Sequence, residues 1–156
     1  MGAASVRASW AALREAGLPS QLDHRGASNA VHLTVVSAPV IPEPAVDAAR
    51  RVLGPLLPLP VRVSGLLLLG GSRVTIARAV DVDDAAVDAV LRLRALVPDR
   101  QHPGWLPHLT LARRVPRERV QEALDVLGWD DEVLTLTELR RWDPDAEAVT
   151  PVVCGA

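Results

Sequence analysis

Two apolar rhythms alternate along this chain. In some stretches hydrophobic residues return every three or four positions, the signature of a helix face; in others, short β-branched and leucine-rich runs are bounded by Gly and Pro, as strands are. Residues 6–16 carry Trp10 and Leu13 on one face and stop at Gly17 and Pro19, which predicts a helix. Residues 30–37 read as a strand. A helix opens near Pro44 and shows Val46, Ala49, Val52, Leu53 and Leu56 at helical spacing before Pro58 and Pro60 end it. Residues 61–69 and 73–80 are strands joined through Gly70-Gly71, as in a hairpin. Asp83 or Asp84 caps a helix running to about Val97. A loop over 99–104 then leads into a strand over 105–114. Pro116 starts a helix that Gly128 closes, and strands near 132–142 and 147–153 flank the turn Asp143-Pro144-Asp145.

The order helix, strand, helix, strand, strand thus occurs twice, which marks an internal duplication. The expectation is an α+β fold: a single domain over 1–156, bilobal, with duplicated strand–helix units and antiparallel sheets around a central cleft. Its lobes would be roughly 1–80 and 81–156.

Composition narrows the function without naming it. Nearly half of the 156 residues are hydrophobic and 23% are charged, a globular balance. A net charge of −2 supplies no general field for polyanions, so any nucleic-acid contact is local and duplex DNA is not an expected partner. All the basic residues are arginine, which fits a compositional bias of the source. The lone Cys154 excludes a disulfide framework. No apolar run is long enough to span a bilayer and the N-terminus lacks a signal pattern, so a cytoplasmic protein without membrane contact is expected.

Chemistry enters with a repeated tripeptide. His32-Leu33-Thr34 and His108-Leu109-Thr110 each lie in a strand-like run, and a strand sends residues i and i+2 to one side and i+1 to the other. Each motif therefore presents an imidazole and a hydroxyl together while its leucine faces the core. Two imidazoles suit paired proton transfer near neutral pH, one taking a proton from the attacking oxygen and the other returning one to the departing oxygen. Thr34 and Thr110 can donate hydrogen bonds to the non-bridging oxygens of a phosphate, where charge builds in the transition state. Neither step requires a metal. A zinc site on His32 and His108 would need a third ligand, and no carboxylate or thiol shares the inward face of either strand. No metal and no cofactor is expected.

The same residues carry a resemblance to a family. Paired His-x-Thr motifs on duplicated strand–helix units are similar to the two-histidine phosphoesterase superfamily, and in particular to its 2′-5′ RNA ligase (LigT-like) family. The stretch Trp105-Leu106-Pro107-His108-Leu109-Thr110-Leu111-Ala112-Arg113 resembles the second motif there, and Asn29-Ala30-Val31-His32-Leu33-Thr34 the first. The resemblance implies a phosphodiesterase acting on the 2′,3′-cyclic phosphate of RNA ends or small nucleotides, or the reverse 2′-5′ ligation. It implies His108 as the base that activates water and His32 as the acid, roles that strand parity alone leaves open. It also favours Arg113 as a phosphate contact. Simple alternation instead sets Arg114 on the histidine side, with Arg113 opposite unless the strand bulges there. Trp105 is a candidate for stacking on a base. His24 and His102 lie in polar loops, and Arg50-Arg51 and Arg140-Arg141 read as solvated faces. Family members open with a strand before the first helix, whereas this chain begins almost at the helix; either the start lies further upstream or one lobe lacks an edge strand. The rival readings are a cyclic phosphodiesterase for a non-RNA metabolite such as a cyclic phosphate of ADP-ribose, and a non-catalytic RNA-binding module of the same fold.

Overall fold

The computed structural model describes residues 2–26 and 29–155. The helices are α1 (Gly2–Glu15), α2 (Glu43–Leu53), α3 (Asp84–Ala95) and α4 (Val120–Val126). The strands are β1 (Leu59–Gly70), β2 (Arg73–Asp81), β3 (His108–Pro116), β4 (Glu132–Leu136), β5 (Glu138–Asp143) and β6 (Ala148–Cys154). The α+β expectation is met. Two compact units divide the chain, one of Met1–Leu33, Arg62–Asp81 and His108–Leu134, the other of Thr34–Val61, Val82–Pro107 and Thr135–Ala156. Each unit draws on both halves of the chain rather than following roughly 1–80 and 81–156. The cause is strand pairing: β2, at the end of the first half, bonds antiparallel to β3 of the second, giving a sheet of order β3-β2-β1-β4.

In the first unit, α1 buries Val6, Trp10 and Leu13, spaced to fall on one helical face, and lies against β3 and α4. It ends where expected. Gly17 takes a left-handed conformation (φ +69°), its N–H donates to the Arg14 carbonyl, and the Leu18 N–H donates to the Leu13 carbonyl. Leu18 is buried, completing a Schellman stop with its apolar contact. On β2 the buried set Val74, Ile76, Arg78 and Val80 occupies alternate positions, so the sheet carries a guanidinium among its inward residues. Arg78 donates from Nε to the Gly65 carbonyl (3.2 Å) and from Nη2 to the Asp130 carbonyl (2.6 Å). Gly65 sits at a β1 bulge with φ +45°, and Arg78 supplies the donor that its carbonyl lacks in the ladder. Ser5 and Ser9 of α1 line a cleft together with Arg78, Asp130 and Glu132, so α1 covers the Arg78 side of the sheet.

In the second unit, α2 and α3 pack through small residues. Ala45, Ala48, Ala49 and Leu53 meet Ala89, Val90, Leu93 and Val97 in one core, flanked by Val35, Val36, Trp105 and Leu139. Asp83 caps α3 by accepting from the Ala86 N–H at 2.8 Å. β5 and β6 form a separate two-stranded sheet.

Two predicted strands come out differently. Residues 132–142 split at Thr137, whose carbonyl accepts from the Gly155 N–H (2.7 Å); β4 joins the large sheet and β5 pairs with β6. Residues 30–37 carry no ladder at all. Their carbonyls are taken by other donors, described next.

Candidate active site

The second motif begins β3. Its register pairs His108 with Ala79, Leu109 with Arg78 and Thr110 with Ala77. Leu109 is 2% exposed and shares the Arg78 side, while His108 and Thr110 are half-buried on the other. The expected parity of His, Leu and Thr is realised here. It then slips. Ala112 pairs with Ile76, so one extra residue, Leu111, has entered β3; Val115 pairs with Val74, so a second extra residue follows. Ala112 is thereby turned to the inward side with Leu109 and Leu111, and all three are buried. Arg113 and Arg114 therefore share the second bulge, two residues against the single Thr75 of β2, and Arg114 is held left-handed at φ +59°. Both arginines are exposed. Simple alternation therefore does not carry through this stretch, and parity no longer separates Arg113 from Arg114.

More arginines collect at this end of β3. Arg73 pairs across from Pro116 and donates to the Arg114 carbonyl, and Arg117 donates to the Gly71 carbonyl. Among the described residues, Arg73, Arg113, Arg114 and Arg117 form no ion pair with a carboxylate, in contrast to Arg14 with Asp23 or Arg119 with Glu122.

In the first motif, exposure alternates even without a ladder: His32 and Thr34 are exposed, while Val31, Leu33 and Val35 are half-buried. The His32 Nδ1 lies 2.8 Å from the Ala30 carbonyl. A carbonyl can only accept, so Nδ1 carries the hydrogen in this contact. Upstream, the Asn29 side chain donates to the carbonyls of Gln21 and His24, each at 2.9 Å, tying the entry to the motif to the turn Gln21–Asp23. His32, His108 and Thr110 belong to the first compact unit; Thr34 and Trp105 belong to the second.

In that second unit, side chains replace the missing strand partner. The Trp105 indole N–H donates to the Thr34 carbonyl (2.9 Å), an Arg94 Nη1 to the Val35 carbonyl (2.8 Å), and the Gln101 amide to the Ser37 carbonyl (2.7 Å). Arg94 is buried, and its Nη2 also reaches the carbonyls of His102 (2.7 Å) and Gly104 (2.5 Å). Burial, with Arg100 nearby, pulls its pKa below the ordinary guanidinium value. In the first unit the Trp10 indole likewise donates to the Thr110 carbonyl at 3.0 Å.

Sequence reasoning missed Arg94, Arg78 and Trp10 as site supports. The signal for the two arginines was present: each is a charge on an otherwise apolar stripe, Arg94 beside Val90, Leu93 and Val97, and Arg78 between Ile76 and Val80. His24 and His102 are exposed, as expected of loop residues. Among the described residues no three His, Cys, Asp or Glu side chains gather as a metal-binding group, and no helix is long and apolar enough to cross a membrane.

The α+β fold and the two His-x-Thr motifs are what the two-histidine class of phosphoesterases and ligases requires, and the family match supports that class for this chain. The model of the 2′-5′ RNA ligase superfamily matches residues 3–148, and the chain belongs to that superfamily. Its members act on RNA or nucleotide substrates. No curated protein and no solved structure matches the chain.

Proposed function

We propose that this protein is a phosphodiesterase for the 2′,3′-cyclic phosphate of RNA ends or nucleotides, working by acid–base catalysis between His32 and His108. The observation that carries this reading is the recurrence of His-x-Thr with the same side-chain alternation: His32 and Thr34 outward of Leu33, His108 and Thr110 opposite Leu109.

The family's assignment sets the roles. His108 takes a proton from water as its oxygen attacks phosphorus. The bond from phosphorus to O3′ breaks, and the electron pair left on O3′ takes the proton from His32 Nε2, whose Nδ1–H stays on the Ala30 carbonyl. The products are a 2′-phosphate and a 3′-hydroxyl. With a 5′-hydroxyl in place of water, the same step makes a 2′-5′ linkage. Thr34 and Thr110 donate to the non-bridging oxygens, and Arg113, the position the family resemblance favours, or its neighbour Arg114 in the same exposed bulge, meets the phosphate with its planar fork. Trp105 acts through its N–H on the Thr34 carbonyl, with its ring packed against the α2–α3 core, rather than as a base-stacking platform.

Incubation with nucleoside 2′,3′-cyclic phosphates tests the proposal. A nucleoside 2′-phosphate is the expected product. A 3′-phosphate would mean that the other bond breaks, and no product from any cyclic nucleotide would leave a non-RNA metabolite or a binding module as the better reading.

A further inference from the structure

In both motif threonines a tryptophan indole donates to the backbone carbonyl. Thr110 precedes the residue inserted at the first β3 bulge, and Trp10 of α1 donates to its carbonyl. Thr34 lies in a segment with no ladder, and Trp105 donates to its carbonyl. The two tryptophans are unrelated in sequence position and lie in different compact units, yet each does the same thing to the same motif position.

We infer that Trp10 and Trp105 are positioning residues, each for the motif threonine of its own unit, holding the Thr110 and the Thr34 hydroxyl ready to donate to phosphate. The inference rests on the proposed phosphodiester reading. Fixing a residue's carbonyl fixes the peptide plane that follows it, and with it the backbone angle on which the side-chain direction depends. An unserved carbonyl would also compete for the nearest hydroxyl. The indole N–H removes that competitor. It only donates, on a ring with two rotatable bonds, so it cannot reverse its role or take a proton from the site. The threonine hydroxyls are thereby left to donate to the oxygens of the substrate.

The test replaces Trp10 or Trp105 by 3-benzothienylalanine, which keeps the ring size and puts sulfur where the N–H was. Each change is made in the wild-type chain and in chains carrying Thr110→Val or Thr34→Val. Turnover of a nucleoside 2′,3′-cyclic phosphate, affinity for a nucleoside 2′-monophosphate, and melting temperature are measured. Loss of either N–H should lower kcat by about tenfold, with a smaller change in KM. The loss at position 10 should vanish when Thr110 is already Val but persist with Thr34→Val, and the reverse should hold at position 105. Penalties that add to either threonine change alike, or a fall in melting temperature with kcat intact, would overturn the inference while leaving the proposed function standing. If the wild-type chain turns over no cyclic phosphate, the proposed function falls, and the same cycles read in nucleotide affinity still decide the tryptophan roles. A wild-type chain that binds no nucleotide overturns both.

Discussion

Ala112 pairs with Ile76, one step out of the register that Thr110 and Ala77 set. That slip, with a second one before Val115, removes the alternation by which Arg113 and Arg114 could be told apart. On the family's assignment, Arg113→Ala should lower kcat/KM for a cyclic nucleotide by about 10-fold to 100-fold, as expected for a lost charge-assisted contact to phosphate. Arg114→Ala should cost less than a factor of about three. Equal losses, or a larger loss at 114, would show that Arg113 is not the guanidinium that reaches phosphate. Steady-state kinetics on the two variants decides.

Arg114 itself sits at φ +59°, where a side chain with a Cβ is strained and glycine is not. Arg114→Gly should therefore leave stability unchanged or raise it by about 0.5–1 kcal/mol, read as a higher denaturation midpoint in urea. Arg114→Ala keeps the Cβ and should show no such gain.

Replacing either motif histidine by Ala should reduce turnover by at least ~10²-fold with little effect on the melting temperature, because His32 is exposed and His108 only half-buried. The rate should show a bell-shaped pH profile, since one imidazole must enter neutral and the other protonated. A melting-temperature loss that matches the loss of activity would make these histidines core residues instead.

What was legible in the sequence was whatever side-chain pattern alone determines. The hairpin of β1 and β2 lies within two residues of its expected ends, α3 is capped by Asp83, one of the two aspartates expected to do so, and α1 stops at Gly17, because turn and cap residues act locally. The His, Leu and Thr parity survived for the same reason. Partner choice was not legible. Nothing within residues 30–37 announces that its carbonyls will be served by Trp105, Arg94 and Gln101 instead of a neighbouring strand. The β3 bulges were equally hidden, since an inserted residue is defined only by what lies across the ladder. Arg113 and Arg114 fall together in the second bulge, where alternation along the strand stops assigning sides.

Arg94 serves the carbonyls of Val35, Gln101, His102 and Gly104 from one buried side chain, and that makes it a stability residue. Removing it by Arg94→Met leaves the half-buried Val35 carbonyl unserved and frees the loop of Gln101, His102 and Gly104. The expected cost is about 3 kcal/mol, a fall of roughly 6–12 °C in melting temperature for a chain of this size. Arg94→Lys keeps the charge but not the fork, so it should recover only part of the loss. A melting temperature within about 2 °C of wild type for Arg94→Met would mean that water serves these carbonyls equally well.

At the start of α4, Arg119 donates from Nε and Nη2 to the two Glu122 carboxylate oxygens and from Nη1 to the Gly17 carbonyl, where α1 stops. The Glu122 carboxyl is held below its usual range, chiefly by the Arg119 hydrogen bond, and Arg119 is raised by the same contact. A carboxyl depressed in the folded state binds its proton more weakly there than in the unfolded chain. Its contribution to stability is then fully present above the unfolded value and disappears as pH falls through the folded one. Glu122→Gln should accordingly melt slightly below wild type at pH 7, and the two curves should converge as the pH is lowered through the acidic range. The pair is solvent-exposed, so the gap should be small and should shrink with added salt. A gap that widens toward low pH would show that the carboxylate destabilises this helix start.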